Sequence, residues 1–281
     1  NMARIDLAFD LEFFSRFTVI LLLLSGAKVR IGYFLRKVWR GNFLTHQIYF
    51  NHFKHITRGF SAILEPLGID EKCIAMPVIN MNGDKVPSMD EIARKHKLPL
   101  NNKDAGIICM NVNSSELSID RRWPKENFSH LAQRLLKHSD KIFLVFIGSA
   151  SEREYVQSVI SSIENDRDRT VNLSGEISLK ELVVLFVHSK MLITSDSGPL
   201  HLASASQTPT VSLFGPESPI RYGPLGDNHI VFCKNLYCSP CLNVYNAKKS
   251  MCNAENKCMQ LISVEEVFDG ICKSFPEIVA L

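Results

Sequence analysis

Between Ser195 and His201 the chain reads Ser195-Asp196-Ser197-Gly198-Pro199-Leu200-His201, with an apolar run from Met191 to Thr194 before it and small helix-forming residues after it. A second apolar run, Thr210 to Phe214, then stops at Gly215-Pro216. The pattern is that of a strand, a polar turn, a helix starting near Pro199 and another strand. Such a turn aims unpaired backbone N–H groups and the positive end of the helix at whatever lies above it, which suits a phosphate. Asp196 or Ser197 is placed to cap the helix, Gly198 lets a ligand approach the backbone, and Pro199 fits a first helical turn. His201 lies one turn further on, either at the mouth of such a site or half-buried along the helix. An ordinary capped helix in an α/β sheet carries the same signals, so the string needs support from elsewhere in the chain.

That support comes from the elements around it. From Asp104 onward strands and helices alternate: Gly106–Asn111, then a helix over Pro124–Lys137, Ile142–Ile147, Ser151–Asn165, Val171–Leu173, Ser178–His188, and the two strands already described. Alternation of this kind means βαβ units and a parallel sheet wrapped by helices. Ligands of such sheets sit above the carboxyl ends of the strands. The loops after Cys109, Ile147, Leu173 and Thr194 are therefore expected to converge on one crevice. They bring Ser114, Gly148 and Glu176 toward Ser195–Pro199 as candidate ligand contacts. Ser178 with Glu181 forms a capping box, and Gly148-Ser149-Ala150-Ser151 is no P-loop, because no Gly-Lys-Ser/Thr follows. The first hundred residues read as strand Ile5–Phe9, helix Phe13–Leu24, strand Val29–Gly32, a polar stretch, helix Asn51–Leu67 and a proline-punctuated linker carrying a helix over Ser88–His96.

The string Ser195-Asp-Ser-Gly-Pro-Leu-His-Leu-Ala, with Thr208-Pro-Thr-Val-Ser-Leu-Phe-Gly-Pro and Arg221-Tyr-Gly-Pro224, resembles glycosyltransferase family 9, the ADP-heptose:lipopolysaccharide heptosyltransferases. Ile119-Asp-Arg-Arg-Trp-Pro-Lys-Glu-Asn-Phe128 is similar to the family's basic-x-Trp-Pro segment, with Arg121 where lysine is more usual. Leu7-Ala-Phe-Asp10 with Leu24 to Tyr33 resembles part of its acceptor domain, and Cys238-Ser-Pro-Cys241 with Cys252 and Cys258 its cysteine-bearing tail. The resemblance implies a GT-B architecture of two Rossmann-like domains facing a cleft, with the first domain truncated. It implies that Arg121 neutralises the donor diphosphate, that Asp196 holds a sugar hydroxyl in preference to capping the helix or orienting Arg121, and that His201 hydrogen-bonds the donor. It further implies that the acidic residue that activates the acceptor lies in a Gly-rich opening segment with no counterpart here, because Asn1–Asp10 aligns with the middle of that domain. The catalytic base is left unassigned.

Composition bounds the rest. The 281 residues, 46% hydrophobic, suffice for two domains with real cores. The apolar run Phe17–Leu24 is far shorter than the ~20 residues a spanning helix needs, so a buried helix and a cytoplasmic chain are expected. The net charge is +3, yet no acidic residue lies between Glu12 and Glu65, where Arg16, Lys28, Arg30, Arg36, Lys37, Arg40, Lys54 and Arg58 interleave with Trp39, Phe43, Tyr49, Phe50 and Phe53. This mixture fits a solvated basic face over core aromatics, an anionic lipid-linked acceptor or bilayer surface, or a single-stranded nucleic acid. With the resemblance, Arg30, Arg36, Lys37 and Arg40 are taken as acceptor or membrane contacts, and nucleic acid is set aside. Cys238-x2-Cys241-x10-Cys252-x5-Cys258 opens with a spacing suited to structural zinc, and its second pair is too wide for a standard knuckle; free thiols are the alternative.

The expected organisation is a partial acceptor domain and linker over 1–100, a nucleotide-sugar domain over 101–262, and a final helix over 263–281 crossing back. The expected activity is inverting, metal-free transfer of heptose or a related sugar from an ADP-sugar to a lipopolysaccharide core acceptor, at the inner membrane. The alternatives are a catalytically incomplete nucleotide-sugar-binding module and a nucleotide-sugar epimerase of the same fold.

Overall fold

The computed structural model describes residues 4–35, 38–40, 42–70, 78–79, 86–98, 106–114, 116–243, 250, 252 and 255–279. They form two compact units, 1–75 and 76–281.

In the first unit, β1 (Leu7–Asp10), β2 (Val29–Phe34) and β3 (His46–Tyr49) form a parallel sheet in that order among the described residues. Helix α1 (Arg16–Leu24) links β1 to β2, with the Ser15 hydroxyl accepting from the Thr18 N–H at its start. The helix expected over Asn51–Leu67 is shorter: α2 (Ile56–Ala62) is followed by a 3₁₀ turn at Glu65–Leu67, which ends at Gly68 in the left-handed region that glycine favours. Strand β3 falls in the stretch read as merely polar. Ile31, Tyr33, Ile48, Phe50 and Ile63 make the core.

The second unit contains β4 (Gly106–Asn111), β5 (Ile142–Phe146), β6 (Thr170–Asn172), β7 (Met191–Ser195), β8 (Thr210–Phe214) and β9 (His229–Cys233), all parallel, in the order β6-β5-β4-β7-β8-β9. Its helices are α3 (Met89–His96), α4 (Lys125–His138), α5 (Arg153–Ser161), α6 (Leu179–His188), α7 (Gly198–Ala205), α8 (Pro219–Tyr222), α9 (Lys257–Gln260), α10 (Val264–Ser274) and α11 (Pro276–Val279). Every residue of β4 is buried, as a strand covered on both faces requires. Its alternate side chains divide between two cores. Ile108 and Met110 pack with Leu131, Leu135, Val267 and Ile271 of α4 and α10, and Ile107 and Cys109 with Leu185, Phe186 and Ile92 of α6 and α3. Helix α3 thus belongs to the core of the second unit, and α10 packs against α4 of the same unit.

This is the α/β architecture with parallel sheets that the alternating pattern predicts. The chain order runs outward from β4 through β5 to β6, then returns to β7 on the other side of β4, so a topological switch point lies between β4 and β7.

Candidate functional site

The carboxyl ends of β4 and β7 lie side by side, with Asn111 opposite Thr194. The Asn111 amide donates to Thr194 Oγ1 at 3.0 Å and to Ser197 Oγ at 2.9 Å, and the two hydroxyls are 2.8 Å apart. Ser197 is the residue before α7, yet its hydroxyl is held by this network and makes no capping bond. The start of α7 therefore carries no side-chain cap. A methyl added at Gly198 would meet no atom within 4 Å, so the space in front of the helix start is open.

That space is a cavity of about 580 Å³ lined by loops from four strands. Asn111, Asn113 and Ser114 come from the end of β4, Ile147, Gly148, Ser149 and Glu152 follow β5, Ile177 lies in the β6–α6 connection with Leu179 and Leu182 on the first turn of α6, and Ser197, Gly198 and Pro199 follow β7. The β5 and β6 loops are zipped together: Gly175 donates its N–H to the Gly148 carbonyl at 3.0 Å. Gly175 has φ +75°, and a side chain there would strike the Ala150 backbone at 2.6 Å. Ile147, Ile177, Leu179 and Leu182 give the cavity apolar lining that suits a base, and the uncapped helix start suits a diphosphate.

Beside that start, Arg121 Nη1 donates to Asp196 Oδ2 at 3.1 Å, with both side chains largely buried. The Asp196 carboxylate is paired with Arg121 here, a contact compatible with orienting that side chain. Ser195 is fully buried, and its hydroxyl accepts the Trp123 N–H at 3.3 Å, so it positions the Arg121 loop from below. Arg122 turns away, donating to the Ser114 carbonyl and lying over the Tyr155 ring at 4.8 Å. On the β8 side, Arg221 and Glu217 are buried near Asp196. Burial raises the Tyr222 pKa; Arg221 opposes the shift, while Glu217 and Asp196 add to it.

Ser114, Gly148, Ser197, Gly198 and Pro199 are thus brought to one cavity as expected, with Arg121 and Asp196 beside its helix start. Glu176 is turned to Arg153, 2.8 Å away and about half exposed. His201 is exposed on α7. Asn111, Asn113 and the apolar side chains Ile177, Leu179 and Leu182 are not singled out as site residues by the sequence. Glu152 ends the Gly148–Glu152 loop, whose pattern resembles a helix entry; three residues after Ser149, its carboxylate accepts the Ser149 N–H at 2.7 Å, a capping box that fixes the β5 loop.

The basic residues of the first unit are placed differently from expectation. Arg40 is buried: it donates to Asp10 Oδ2 and Thr18 Oγ1, and to the carbonyls of Ser15 and Tyr33. Arg30 donates to the carbonyls of Ala27 and Phe43. Both side chains cross-link their own unit because a guanidinium in a half-buried setting must satisfy several donors at once. Arg36 and Lys37 lie outside the described residues.

Cys238, Cys241, Cys252 and Cys258 share one neighbourhood. Cys258 is pushed up to about 11, by burial first and also by the other three thiols. Among the described residues, no three His, Cys, Asp or Glu side chains are grouped so as to hold a metal ion. No helix among them is long and apolar enough to cross a membrane.

A family model for glycosyltransferase family 9 (heptosyltransferase) matches residues 19–251. The chain belongs to glycosyltransferase family 9. Lipopolysaccharide heptosyltransferase 2 of Salmonella typhimurium is 32% identical over 112 residues, 40% of this chain and 32% of that protein, so the chain spans about a third of the length of this curated family 9 relative. The crystal structure of the glycosyl transferase family 9 from Veillonella parvula superposes with a TM-score of 0.74 at 23% identity, covering 99% of this chain and 75% of that one. The structure of Escherichia coli ADP-heptose lipopolysaccharide heptosyltransferase II gives 0.69 at 20%, covering 98% and 76%. At these identities the superpositions speak for the fold, and they agree with two α/β units built on parallel sheets.

Proposed function

We propose that the chain binds an ADP-sugar, an ADP-heptose in the first instance, in the 580 Å³ cavity, and that it serves transfer of that sugar to a lipopolysaccharide core acceptor with inversion. The observation that carries this is the uncapped start of α7 opening on a cavity that also has apolar lining, beside the Arg121–Asp196 pair. In such a transfer the acceptor oxygen forms a bond to the anomeric carbon as the bond to the diphosphate oxygen breaks, and negative charge grows on the leaving ADP. The amides at the start of α7 and the Arg121 guanidinium are the groups suited to stabilise that charge. Ile177, Leu179 and Leu182 offer the base an apolar face. We assign no residue as the base that takes the acceptor proton. Family membership favours transfer over epimerisation.

The acceptor reading rests on the first unit. A cavity of about 350 Å³ there is lined by Gln47, Tyr49, Asn51, Lys54, Arg58 and Glu65 among others. Phe17, Leu24, Trp39 and Phe53 are exposed in the same unit. Cations and exposed aromatic and aliphatic side chains in one unit support an anionic, lipid-linked acceptor and peripheral contact with the cytoplasmic face of the inner membrane.

Calorimetric titration with ADP, UDP and GDP tests the donor assignment. ADP is expected to bind most tightly; equal binding of all three, or none, overturns it.

A further inference from the structure

The segment between β4 and α4 carries Arg121 as the last residue of a short 3₁₀ helix, Glu116–Arg121, which belongs to neither sheet nor α-helix and is further held by side chains that anchor it. Three anchors come from a segment more than a hundred residues away, the cysteine-bearing stretch near 250–262. The Asn256 amide donates to the Asp120 carbonyl at 2.8 Å and to the Arg122 carbonyl at 2.9 Å. Ser250 Oγ donates to Asp120 Oδ2 at 2.6 Å. The Trp123 indole N–H donates to the Ile262 carbonyl at 2.8 Å, from a side chain that is wholly buried.

The two bonds from Asn256 fall on the Asp120 and Arg122 carbonyls, in the peptide plane just before Arg121 and in the plane after Arg122. The plane between them is held locally, the Arg122 N–H donating to the Ile119 carbonyl at 2.9 Å, so the backbone of the 120–123 stretch, and with it the direction in which the Arg121 side chain leaves, is pinned. Both amide hydrogens are used, and Asn256 is itself buried. It is anchored in turn: the next two residues but one, Cys258 and Met259, are core residues, and Met259 returns its N–H to the Asn256 carbonyl at 2.8 Å. They reach the core through the gap at Gly215, where an added methyl would lie 2.5 Å from Met259 Sδ and 2.9 Å from Cys258 Sγ. At its far end the Arg121 side chain is held by Asp196.

We propose that Asn256 is a positioning residue for donor binding: it holds the Arg121 backbone so that the guanidinium stands at the start of α7, and through it the cysteine-bearing segment braces the donor site. The inference rests on the donor reading for its effect on affinity, and on the hydrogen-bond geometry alone for the brace itself.

Two arms separate these. In hydrogen exchange, Asn256→Ala speeds exchange in the 116–123 segment while β4 stays protected; unchanged exchange in that segment overturns the brace. In ADP titration, Asn256→Ala weakens binding about tenfold, as loss of hydrogen bonds to two part-buried carbonyls predicts. In an Arg121→Ala background the same change weakens it less than twofold, because the residue being positioned is gone. A full tenfold effect in that background overturns the positioning role and leaves a general structural one. Asn256→Asp keeps the shape but loses the donors, so it behaves like Asn256→Ala; wild-type affinity in Asn256→Asp overturns the proposal. Should Asn256→Ala fail to fold, Ser250→Ala removes the neighbouring anchor and is expected to speed exchange in the same segment; if it does not, the brace is overturned. A wild-type chain that binds no ADP overturns the donor reading, and the exchange arm still decides the brace.

Discussion

Gly198→Ala should move stability and ligand affinity in opposite directions. Glycine costs about 0.5–1 kcal/mol relative to alanine inside a helix, and Gly198 is the first residue of α7 with no positive φ. The added methyl meets no protein atom within 4 Å. Nothing in the unliganded protein opposes the change, so Tm is expected to hold or to rise by up to ~2–4 °C for the full gain. With ADP bound the outcome reverses. A phosphate oxygen accepting from a backbone N–H lies about 2.9 Å from that nitrogen, so a diphosphate packed on this turn occupies the space into which the methyl projects. Even partial displacement costs about 1.4 kcal/mol, which is tenfold in Kd. Differential scanning calorimetry and ADP titration on the same preparation read both quantities. A variant that binds ADP within twofold of wild type would show that no phosphate sits over the start of α7. A variant that loses several degrees of Tm would show that the open space is not open.

Arg121→Ala is expected to lose about 2–5 kcal/mol of ADP binding and to lower Tm, since it leaves the Asp196 carboxylate buried without its partner; calorimetry reads the first and thermal melts the second. For Glu181, burial alone would raise the carboxyl, but Lys95 at 2.7 Å and the Ser178 N–H and hydroxyl outweigh it and hold it at about 2. A depressed folded-state pKa gives stability that is present above the ordinary value near 4.5 and lost as pH falls toward 2. Because Lys95 is more than half exposed, the contribution is about 1 kcal/mol. Urea melts at pH 7 and pH 3 should therefore converge for Glu181→Gln relative to wild type. Among the thiols, burial pushes Cys109 up to about 12, while Cys238 is exposed. A thiol reagent at pH 8 should label Cys238 in the native protein and Cys109 only after denaturation, which peptide mapping resolves.

Much of the second unit could be read from local pattern, because largely buried parallel strands such as Ile142–Phe146 are apolar throughout and alternate with helices. Strands β3 and β9 are less legible. In His46-Gln-Ile-Tyr49 only Ile48 is buried, so no apolar run marks it. Ile230–Cys233 is an apolar run, but it forms an edge strand with no fully buried residue and no helical pattern directly after it. Gly198 and Pro199 announce the helix start by their residue types. Asn111 does not: its role is to join Thr194 and Ser197 across more than eighty residues of sequence, and only the β4–β7 pairing makes them neighbours. Arg40 looked like a surface cation because Asp10, which neutralises it, is thirty residues away and paired through the fold.

The most direct measurement is a structure of this chain soaked or co-crystallised with ADP. The account predicts the diphosphate on the Ser197–Gly198–Pro199 turn with the Arg121 guanidinium within hydrogen-bond distance, and the base against Ile177 and Leu179. ADP bound away from the start of α7, or bound there with Arg121 turned from the phosphates, would contradict it.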